Sequence, residues 1–248
     1  MPVSPLSVRP SCRGSEGFLS RPVPTVRDHG YQDRREAGRV LADSLCEYAD
    51  DAGALVLALP RGGVPVAFEV ARALRLPLDL LPVRKLGVPG HEELAFGALA
   101  PGGVRVLNSD LTGALDLDQA AIEAVVAREM IELDRREALY RRGRPPLVVT
   151  GRIVLLVDDG LATGATMQAA VQSLLHQTPH SIVVAVPVAP PASCLFFDRF
   201  APNVRCVCPL QPDDFNAVGE WYQDFSQTCD EEVLALLAEA DWGPQPSD

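Results

Sequence analysis

The sequence predicts an α/β fold with a mainly parallel, twisted sheet flanked by helices and a small hood or cap. Short apolar runs alternate along the chain with longer segments whose apolar residues recur at helical spacing. Strands that alternate with helices form parallel sheets covered by helices on both faces. Two of the apolar runs end in glycine-containing loops, after Leu59 and after Val157. Open sheets of this class bind ligands at the carboxyl ends of their strands, so these two loops are candidate sites.

The first half of the chain predicts one step from strand to helix, preceded by a helix and followed by short strands. Residues 33–48 carry apolar side chains at helical spacing behind charged residues in the first turn. Residues 54–59 are a continuous apolar run that ends in a tight loop, Pro60 to Gly63. The next segments are a helix over 64–74, a strand over 78–83, a loop over 84–93, and strands over 94–99 and 104–107.

The second half of the chain repeats the alternation of strand and helix. It begins with a long helix over residues 117–142, whose apolar stripe is flanked by Arg and Glu and which Gly143 and two prolines terminate. The remaining segments are a strand over 153–157, a helix to about residue 175, strands over 181–188 and 204–208, and a closing helix over 230–240.

Size and charge narrow the class of protein. The 248 residues, 47% of them hydrophobic, are enough for one large α/β domain with a sizeable core. The formal net charge of -11 makes nucleic acid and anionic lipid poor electrostatic partners, so we expect neither. No apolar run reaches the roughly 18 residues that a membrane helix requires.

The N-terminal segment has the composition of a tail. Residues 1–27 contain Pro, Ser and Arg but no apolar stretch of signal-peptide length, which argues against secretion. We therefore expect a disordered tail over residues 1–27, a domain over residues 28–248 with a C-terminal cap from about residue 209, and a cytoplasmic location.

The chain has six cysteines, and no two of them form a C-x-x-C motif. Cys206 and Cys208 would place both thiols on one face of a strand, because strands have a period of two. Two interpretations stay open for them, namely a metal site and buried, reduced thiols of a cytosolic protein.

The strongest chemical signal lies between Val154 and Thr166. An apolar strand ends in two adjacent carboxylates, Asp158 and Asp159, and Thr163 to Thr166 then opens a helix. The helix N-terminus, the two hydroxyls and the close backbone approach that glycine permits suit a phosphate. The carboxylates suit the vicinal hydroxyls of a sugar or a hydrated Mg²⁺. Together these groups describe a site for a ribose phosphate.

This segment resembles the motif with which type I phosphoribosyltransferases bind 5-phosphoribosyl-1-pyrophosphate (PRPP). The resemblance implies that Asp158 and Asp159 hold the ribose 2′ and 3′ hydroxyls, and Mg²⁺ through water or through those hydroxyls. It also implies PRPP as co-substrate. The residues implied in binding it are Gly160 and Ala162, with Thr163, Gly164, Ala165 and Thr166 on the 5-phosphate.

One position departs from the purine-salvage members of that family. Many of them carry an Asp, thought to contact the purine base, where this chain has Ala162. The departure argues against hypoxanthine or guanine salvage, and it is compatible with the fold because orotate-type members also lack a carboxylate there.

The loop after the first strand resembles the pyrophosphate-binding loop of the same family. The resemblance implies that Arg61 faces the pyrophosphate with the N–H groups of Gly62 and Gly63 nearby. It further implies a non-proline cis peptide bond in this loop, which a glycine-containing step would tolerate best.

The segment from Arg84 to Glu93 contains Lys85, the one lysine of the chain. The family has a flexible catalytic loop in this region, so Arg84 and Lys85 are candidates to neutralise the leaving pyrophosphate. A solvated charged turn is the alternative. His91, Glu92 and Glu93 are weaker candidates for an acid or base.

Aromatic residues concentrate near the C-terminus, with Trp221, Tyr222 and Phe225 close together. The family uses the loop after Pro187 to help form a nucleobase pocket, and the aromatic side chains could stack on a base. A C-terminal cap that covers the core is the equal alternative.

Three motifs are shared with uncharacterised bacterial phosphoribosyltransferases, at residues 33–38, 59–67 and 158–166. The resemblance implies an enzyme that transfers a phosphoribosyl group to an unidentified acceptor, such as a nucleobase, in a fold that often forms homodimers. A protein that senses PRPP or nucleotides without turnover is the alternative. The first strand has no G-x-G-x-x-G after it and the chain has no P-loop motif, so a dinucleotide-dependent oxidoreductase and a P-loop NTPase are disfavoured.

Overall fold

The computed structural model describes residues 30–141 and 143–240. The tail expected over residues 1–27 lies outside these ranges, as do the last residues of the expected C-terminal cap. Within the described ranges, no helix combines the length and the apolar character needed to cross a membrane.

The expected parallel sheet is present and has five strands. Its members are short and mostly apolar, and the three central strands are almost fully buried because helices cover both faces. The strands are β1 (Ala54–Ala58), β2 (Leu78–Leu80), β6 (Ile153–Val157), β7 (Ser181–Ala185) and β8 (Val204–Val207). Their order across the sheet is β2-β1-β6-β7-β8. The α/β class is confirmed.

Seven α-helices are described, together with 3-10 turns at Cys46–Tyr48, Pro101–Gly103 and Val218–Trp221. The helices are α1 (Arg34–Ser44), α2 (Gly63–Leu74), α3 (Ser109–Ala114), α4 (Gln119–Tyr140), α5 (Ala165–Leu175), α6 (Pro191–Asp198) and α7 (Asp230–Glu239). Two of them, α3 and α6, have no counterpart among the sequence predictions.

The sheet separates two apolar cores. Alternate residues of β1 point to opposite faces, so Val56 lies in one core and Leu57 in the other. The first core is closed by α1, α2 and α7, and the second by α5, α6 and part of a second sheet. Because α7 contributes Val233, Leu236 and Leu237 to the first core, this part of the expected cap belongs to the main body of the fold.

The second sheet corrects the loop predicted over residues 84–93. It is antiparallel and consists of β3 (Arg84–Val88), β4 (His91–Ala100) and β5 (Val104–Leu107). Leu86 and Val88 are buried against α4, and Gly90 takes a left-handed conformation with φ +80° in the turn that joins β3 to β4. Glycine, proline and charge are common to loops and to the exposed parts of a hairpin, and the prediction of a loop was therefore wrong.

A C-terminal strap, defined here as residues 217–226, crosses the carboxyl edge of the parallel sheet. Tyr31 pairs with Tyr222 in an isolated parallel bridge, and the Tyr31 N–H donates to the Trp221 carbonyl over 2.8 Å. The Tyr31 hydroxyl also donates to the carbonyl of Pro187 over 2.8 Å. The main-chain contacts of Tyr31 thus fasten the strap to the residues just before α1, and its hydroxyl ties those residues to the segment after β7.

Candidate functional site

The two loops singled out from the sequence lie side by side. Strands β1 and β6 are neighbours in register, with Ala58 opposite Val157, so both chains leave the sheet at the same edge. The Leu59 N–H donates to the Val157 carbonyl over 2.9 Å, which extends the ladder to the start of both loops. The structure therefore brings together the predicted pyrophosphate loop and the predicted PRPP segment.

Both glycines of the first loop lie against the acidic pair. A Cβ atom placed on Gly62 would be 2.1 Å from Asp159 Oδ2. A Cβ atom on Gly63 would be 2.8 Å from the Val157 carbonyl oxygen and 2.9 Å from Asp158 Cα. These positions tolerate no side chain without movement, which is the physical reason for two consecutive glycines at the start of α2.

The acidic pair is largely withdrawn from solvent, and this raises the pKa of both carboxyl groups. For Asp158 the causes are burial first and then the neighbouring charge of Asp159, and the pKa rises well above its usual range. For Asp159 burial raises the pKa, and the positive charge of Arg34 opposes that rise. Asp158 Oδ1 also accepts a hydrogen bond from the Asp159 N–H over 2.9 Å. Two adjacent buried carboxyls are costly without a cation, so the pair is suited to attract one.

Arg34 is a site residue that the sequence predictions did not include. Its Nε lies 2.9 Å from Asp159 Oδ2, and its Nη1 donates to the Ser226 carbonyl over 2.7 Å. The guanidinium also lies over the Phe225 ring, 4.0 Å from its centre. Asp33 caps α1 by accepting the Glu36 N–H over 2.8 Å, which fixes the first turn where Arg34 stands. The one feature of the sequence that could have pointed to Arg34 was the motif at residues 33–38.

The predicted phosphate turn begins α5. Gly164 has φ +70° and occupies the N-cap, and Ala165 is the first helical residue. The first N–H groups of a helix lack partners within it, so they point out of the turn where an anion can accept from them. Ala162 and Thr163 are exposed, whereas Met167 is buried and holds the helix on the sheet.

The position of Arg61 is fixed by an ion pair with Asp230, near the C-terminal end of the described residues. Its Nη1 lies 3.6 Å from Asp230 Oδ1, and the same oxygen accepts the Tyr140 hydroxyl over 2.6 Å. The Pro60–Arg61 peptide bond is cis, one bond before the first glycine-containing step of the loop.

Arg84 is committed to another partner. Its guanidinium makes two hydrogen bonds to Glu129 Oε2 of α4, over 2.9 and 2.6 Å, and the structure does not place it on the acidic pair. Lys85 lies on β3 opposite Ala98 of β4. His91, at the start of β4, is exposed. The side chains of residues 92 and 93 lie outside the described part of the protein.

The aromatic residues of the C-terminal strap cover the acidic pair. The Tyr222 hydroxyl donates to the Asp159 carbonyl over 2.6 Å, and its ring packs 5.1 Å from that of Phe225. Tyr222 is buried, so of the two interpretations left open by the sequence its position favours the covering role.

The family can now be assigned from comparison with known proteins. The family model described as "Phosphoribosyl transferase domain" matches residues 33–220, which is most of the chain. The chain belongs to the phosphoribosyl transferase domain family. The matched range includes the acidic pair, the phosphate turn, the Arg61 to Gly63 loop and Arg34, so the core of the candidate site lies inside the family domain.

Relatives in this family are similar over most of the chain. Two proteins of Mycobacterium tuberculosis, named "Putative phosphoribosyl transferase MT0597" (strain CDC 1551 / Oshkosh) and "Putative phosphoribosyl transferase Rv0571c" (strain ATCC 25618 / H37Rv), are each 50% identical over 210 residues. That alignment covers 85% of this chain and 47% of each relative, so the chain spans about half the length of these curated relatives. The crystal structure of TT1426 from Thermus thermophilus matches with a TM-score of 0.71 and 44% identity, covering 85% of this chain and 98% of that one.

The donor set of this phosphoribosyl transferase domain fits Mg²⁺ and not a self-contained metal cage. Among the described residues, no group of three or more His, Cys, Asp or Glu side chains could hold a metal ion. Mg²⁺ is usually bound by one or two carboxylates together with water and substrate phosphates, so Asp158 and Asp159 could hold it only with a ligand present.

Proposed function

We propose that this domain transfers the phosphoribosyl group of PRPP to an acceptor and releases pyrophosphate, with Mg²⁺ bound alongside the substrate. The observation that carries the proposal is the meeting of three groups at the adjoining ends of β1 and β6: the largely enclosed acidic pair, the helix N-terminus at Gly164, and the Arg61 to Gly63 loop. Each matches one part of PRPP, namely its ribose diol, its 5-phosphate and its pyrophosphate.

The residues have distinct roles in this proposal. Asp158 and Asp159 bind the ribose hydroxyls, directly or through hydrated Mg²⁺. Residues 163–166 bind the 5-phosphate with hydroxyls and N–H groups, and Gly160 and Ala162 complete the turn. Arg61 and the N–H groups of Gly62 and Gly63 bind the pyrophosphate. Mg²⁺ supplies positive charge for the departing pyrophosphate when it is bound.

The reaction requires positioning more than it requires a covalent intermediate. A nucleophile of the acceptor forms a bond to C1 of the ribose, the bond from C1 to the pyrophosphate oxygen breaks, and pyrophosphate leaves with the electron pair. Lys85 and Arg84 are proposed as further cations for the leaving group. Arg84 can take this role only after its ion pair with Glu129 opens.

The acceptor is proposed to be a nitrogen nucleophile, such as that of a nucleobase, without a committed identity. Ala162 offers no carboxylate to a purine, so the acceptor has to be recognised by other groups. The first set of acceptors to test therefore includes pyrimidines as well as purines.

The test is calorimetric titration of PRPP into the protein with and without Mg²⁺, followed by a pyrophosphate-release assay across purines and pyrimidines. We expect Mg²⁺-dependent PRPP binding, and release with one class of base. Asp159→Asn should abolish the binding and leave the melting temperature close to that of the wild type. The matched control is Asp214→Asn, which removes one exposed carboxylate and should bind normally.

Two results would count against the proposal. Absence of PRPP binding with and without Mg²⁺ would overturn the ligand, and unchanged binding by Asp159→Asn would overturn the site. Mg²⁺-dependent binding without pyrophosphate release for any base would instead favour the sensing protein over the transferase.

A further inference from the structure

Three cysteines from two elements meet at the far edge of the parallel sheet. Cys206 lies in β8 and Cys208 just beyond it, so their side chains share one face of the strand. Helix α6 covers that face and contributes Cys194, and all three side chains pack in the same apolar core. The Cys206 N–H donates to Asp198 Oδ1 over 2.7 Å, which fixes the strand against the helix one turn beyond Cys194.

The thiol of Cys194 stands between the other two. It lies within hydrogen-bonding reach of the thiols of both Cys206 and Cys208. Their hydrogen bonds to Cys194 lower the pKa of its thiol to about 4, and burial opposes that change. The Cys208 thiol also lies 3.1 Å from the Leu210 carbonyl oxygen, so its single S–H can donate either to that oxygen or to Cys194. The sulfur of Cys194 is therefore the one best supplied with donors.

The cluster borders the protein surface. Cys194 is buried, but Cys206 and Cys208 are each partly exposed. All three are free thiols. A thiolate that is hydrogen-bonded by neighbours and adjacent to a second thiol is the arrangement that reacts with peroxides and is then resolved.

We propose that Cys194, Cys206 and Cys208 form a site of oxidative modification, at which a hydroperoxide joins Cys194 to one of its two neighbours in a disulfide. The Cys194 thiolate attacks one peroxide oxygen, the O–O bond breaks, and with a proton the products are a sulfenic acid and water, or an alcohol for an organic peroxide. A neighbouring thiol then attacks the sulfenic sulfur and displaces a second water molecule. Two thiols are oxidised and one hydroperoxide is reduced.

Geometry favours a disulfide that contains Cys194, joined to either Cys206 or Cys208. Residues two apart on a strand have Cα atoms about 6.6 Å apart with parallel side chains, which is close to the upper limit for a disulfide. A bond between Cys206 and Cys208 is therefore disfavoured, whereas Cys194 approaches both from the opposing helix. The structure does not support the metal site that the sequence left open for Cys206 and Cys208, because no three His, Cys, Asp or Glu side chains among the described residues are arranged to hold a metal ion.

The modified cysteines and the phosphate turn would be connected by α6, which contains Cys194 and also contacts the turn. The Ser193 hydroxyl of α6 donates to the Ala162 carbonyl over 3.3 Å, and the Phe197 ring is 3.4 Å from the Cβ position of Gly164. Attachment of α6 to the end of β8 thus fixes the helix that supports this turn. The disulfide itself does not depend on the proposed transferase function.

The test uses the full, reduced chain treated with one equivalent of hydrogen peroxide. Remaining thiols are blocked with N-ethylmaleimide, and peptides are mapped by mass spectrometry without reduction. We expect the loss of two thiols, a cross-linked peptide pair that contains Cys194, and reversal by dithiothreitol. Cys194→Ser and the double variant Cys206→Ser/Cys208→Ser should lose the cross-link. Cys46→Ser and Cys229→Ser alter exposed thiols outside the cluster and should keep it.

The wild-type peptide map decides the matter even where a variant fails to fold. Complete labelling of Cys194 by N-ethylmaleimide after peroxide treatment would overturn the proposal. So would a cross-link confined to Cys46 or Cys229, or one between different copies of the chain. A cross-link that persists in Cys194→Ser would show that Cys194 is not part of the disulfide, and it would also overturn the proposal.

Discussion

At the scale of single residues, the candidate site depends on one cation that reaches it from the start of the domain. Arg34 and Asp159 are 125 positions apart in the sequence, yet their side chains form an ion pair that is largely withdrawn from solvent. Phe225 and the carbonyl of Ser226 hold the guanidinium from the other side. A charge held on two sides fixes the orientation of its partner, so Arg34 is a positioning residue for Asp159.

Arg34→Ala should weaken the binding of PRPP with Mg²⁺. Loss of the guanidinium leaves the largely enclosed Asp159 carboxylate without its fixed partner, and losses of about 10–100-fold are usual when such supporting contacts are removed. Arg34→Lys should recover part of the affinity, because it restores charge but not the contacts of Nε and Nη1. Arg35→Ala removes the next residue, whose ion pair is to Glu69, and should bind normally. Equal affinities of Arg34→Ala and the wild type in calorimetry would contradict this role.

Asp158→Asn should stabilise the ligand-free protein at neutral pH. The pKa of Asp158 is raised on folding, so the folded state binds more protons than the unfolded state and stability falls as the pH rises above about 4. Asn removes that penalty and keeps an oxygen for the Asp159 N–H. We expect a gain of about 1–2 kcal/mol, the size common for stabilising substitutions. Urea unfolding in a chelator across pH 4–8 should show the gain growing with pH, and a gain that is constant with pH would refute this cause.

At the scale of elements, the site is made by the packing of one loop against the end of a strand. The two glycines at the start of α2 meet different kinds of atoms there. Gly62 lies against the Asp159 carboxylate, whereas Gly63 lies against backbone atoms of Val157 and Asp158. A side chain can rotate away from an added methyl group, but a strand of the central sheet cannot. The two positions should therefore respond differently to the same substitution.

Gly62→Ala should reduce ligand affinity more than stability, and Gly63→Ala should do the reverse. The first change displaces Asp159 Oδ2, and misplacement by about 1 Å can cost about 100-fold in function. The second forces the backbone at Val157 and Asp158 to move, and overpacking of this kind costs about 1–3 kcal/mol. Thermal unfolding and PRPP titration of both variants give the comparison. If the loss of PRPP affinity relative to the loss of stability were the same in both variants, the two glycines would not have the different roles assigned to them.

The elements differ in how well the sequence predicts them. The strands β5 and β6 have the predicted bounds because their apolar residues lie between clear turn signals. The hairpin of β3 and β4 was missed because the pairing partner, and not local composition, decides whether a charged, glycine-containing segment becomes a strand. Helix α6 was missed because it has eight residues and begins at Pro191, too short a segment for its periodicity to show.

At the scale of the whole molecule, the predictable part of the site is the part that is local in sequence. The acidic pair and the predicted phosphate turn occupy nine consecutive residues, 158–166, so their pattern alone was enough to propose them as a candidate site. Arg34, Asp230 and Tyr222 reach the same place from both ends of the domain, through contacts that depend on the fold. No spacing rule connects them, so sequence periodicity could not have identified their partners.

The C-terminal strap gives a prediction at this scale, because it connects both ends of the domain to the site. Tyr222→Phe removes the hydroxyl that donates to the Asp159 carbonyl, and an acceptor left unsatisfied in a buried setting costs about 1–3 kcal/mol. Tyr48→Phe is the matched control, since its hydroxyl contacts Arg205 at the surface and water can replace it, so a change within about 0.5 kcal/mol is expected. Urea unfolding midpoints of the two variants and the wild type make the comparison. If Tyr222→Phe were as stable as the control, the hydrogen bond from Tyr222 to the Asp159 carbonyl would not stabilise the protein. The ion pair with Arg34 would then be the contact that fixes Asp159.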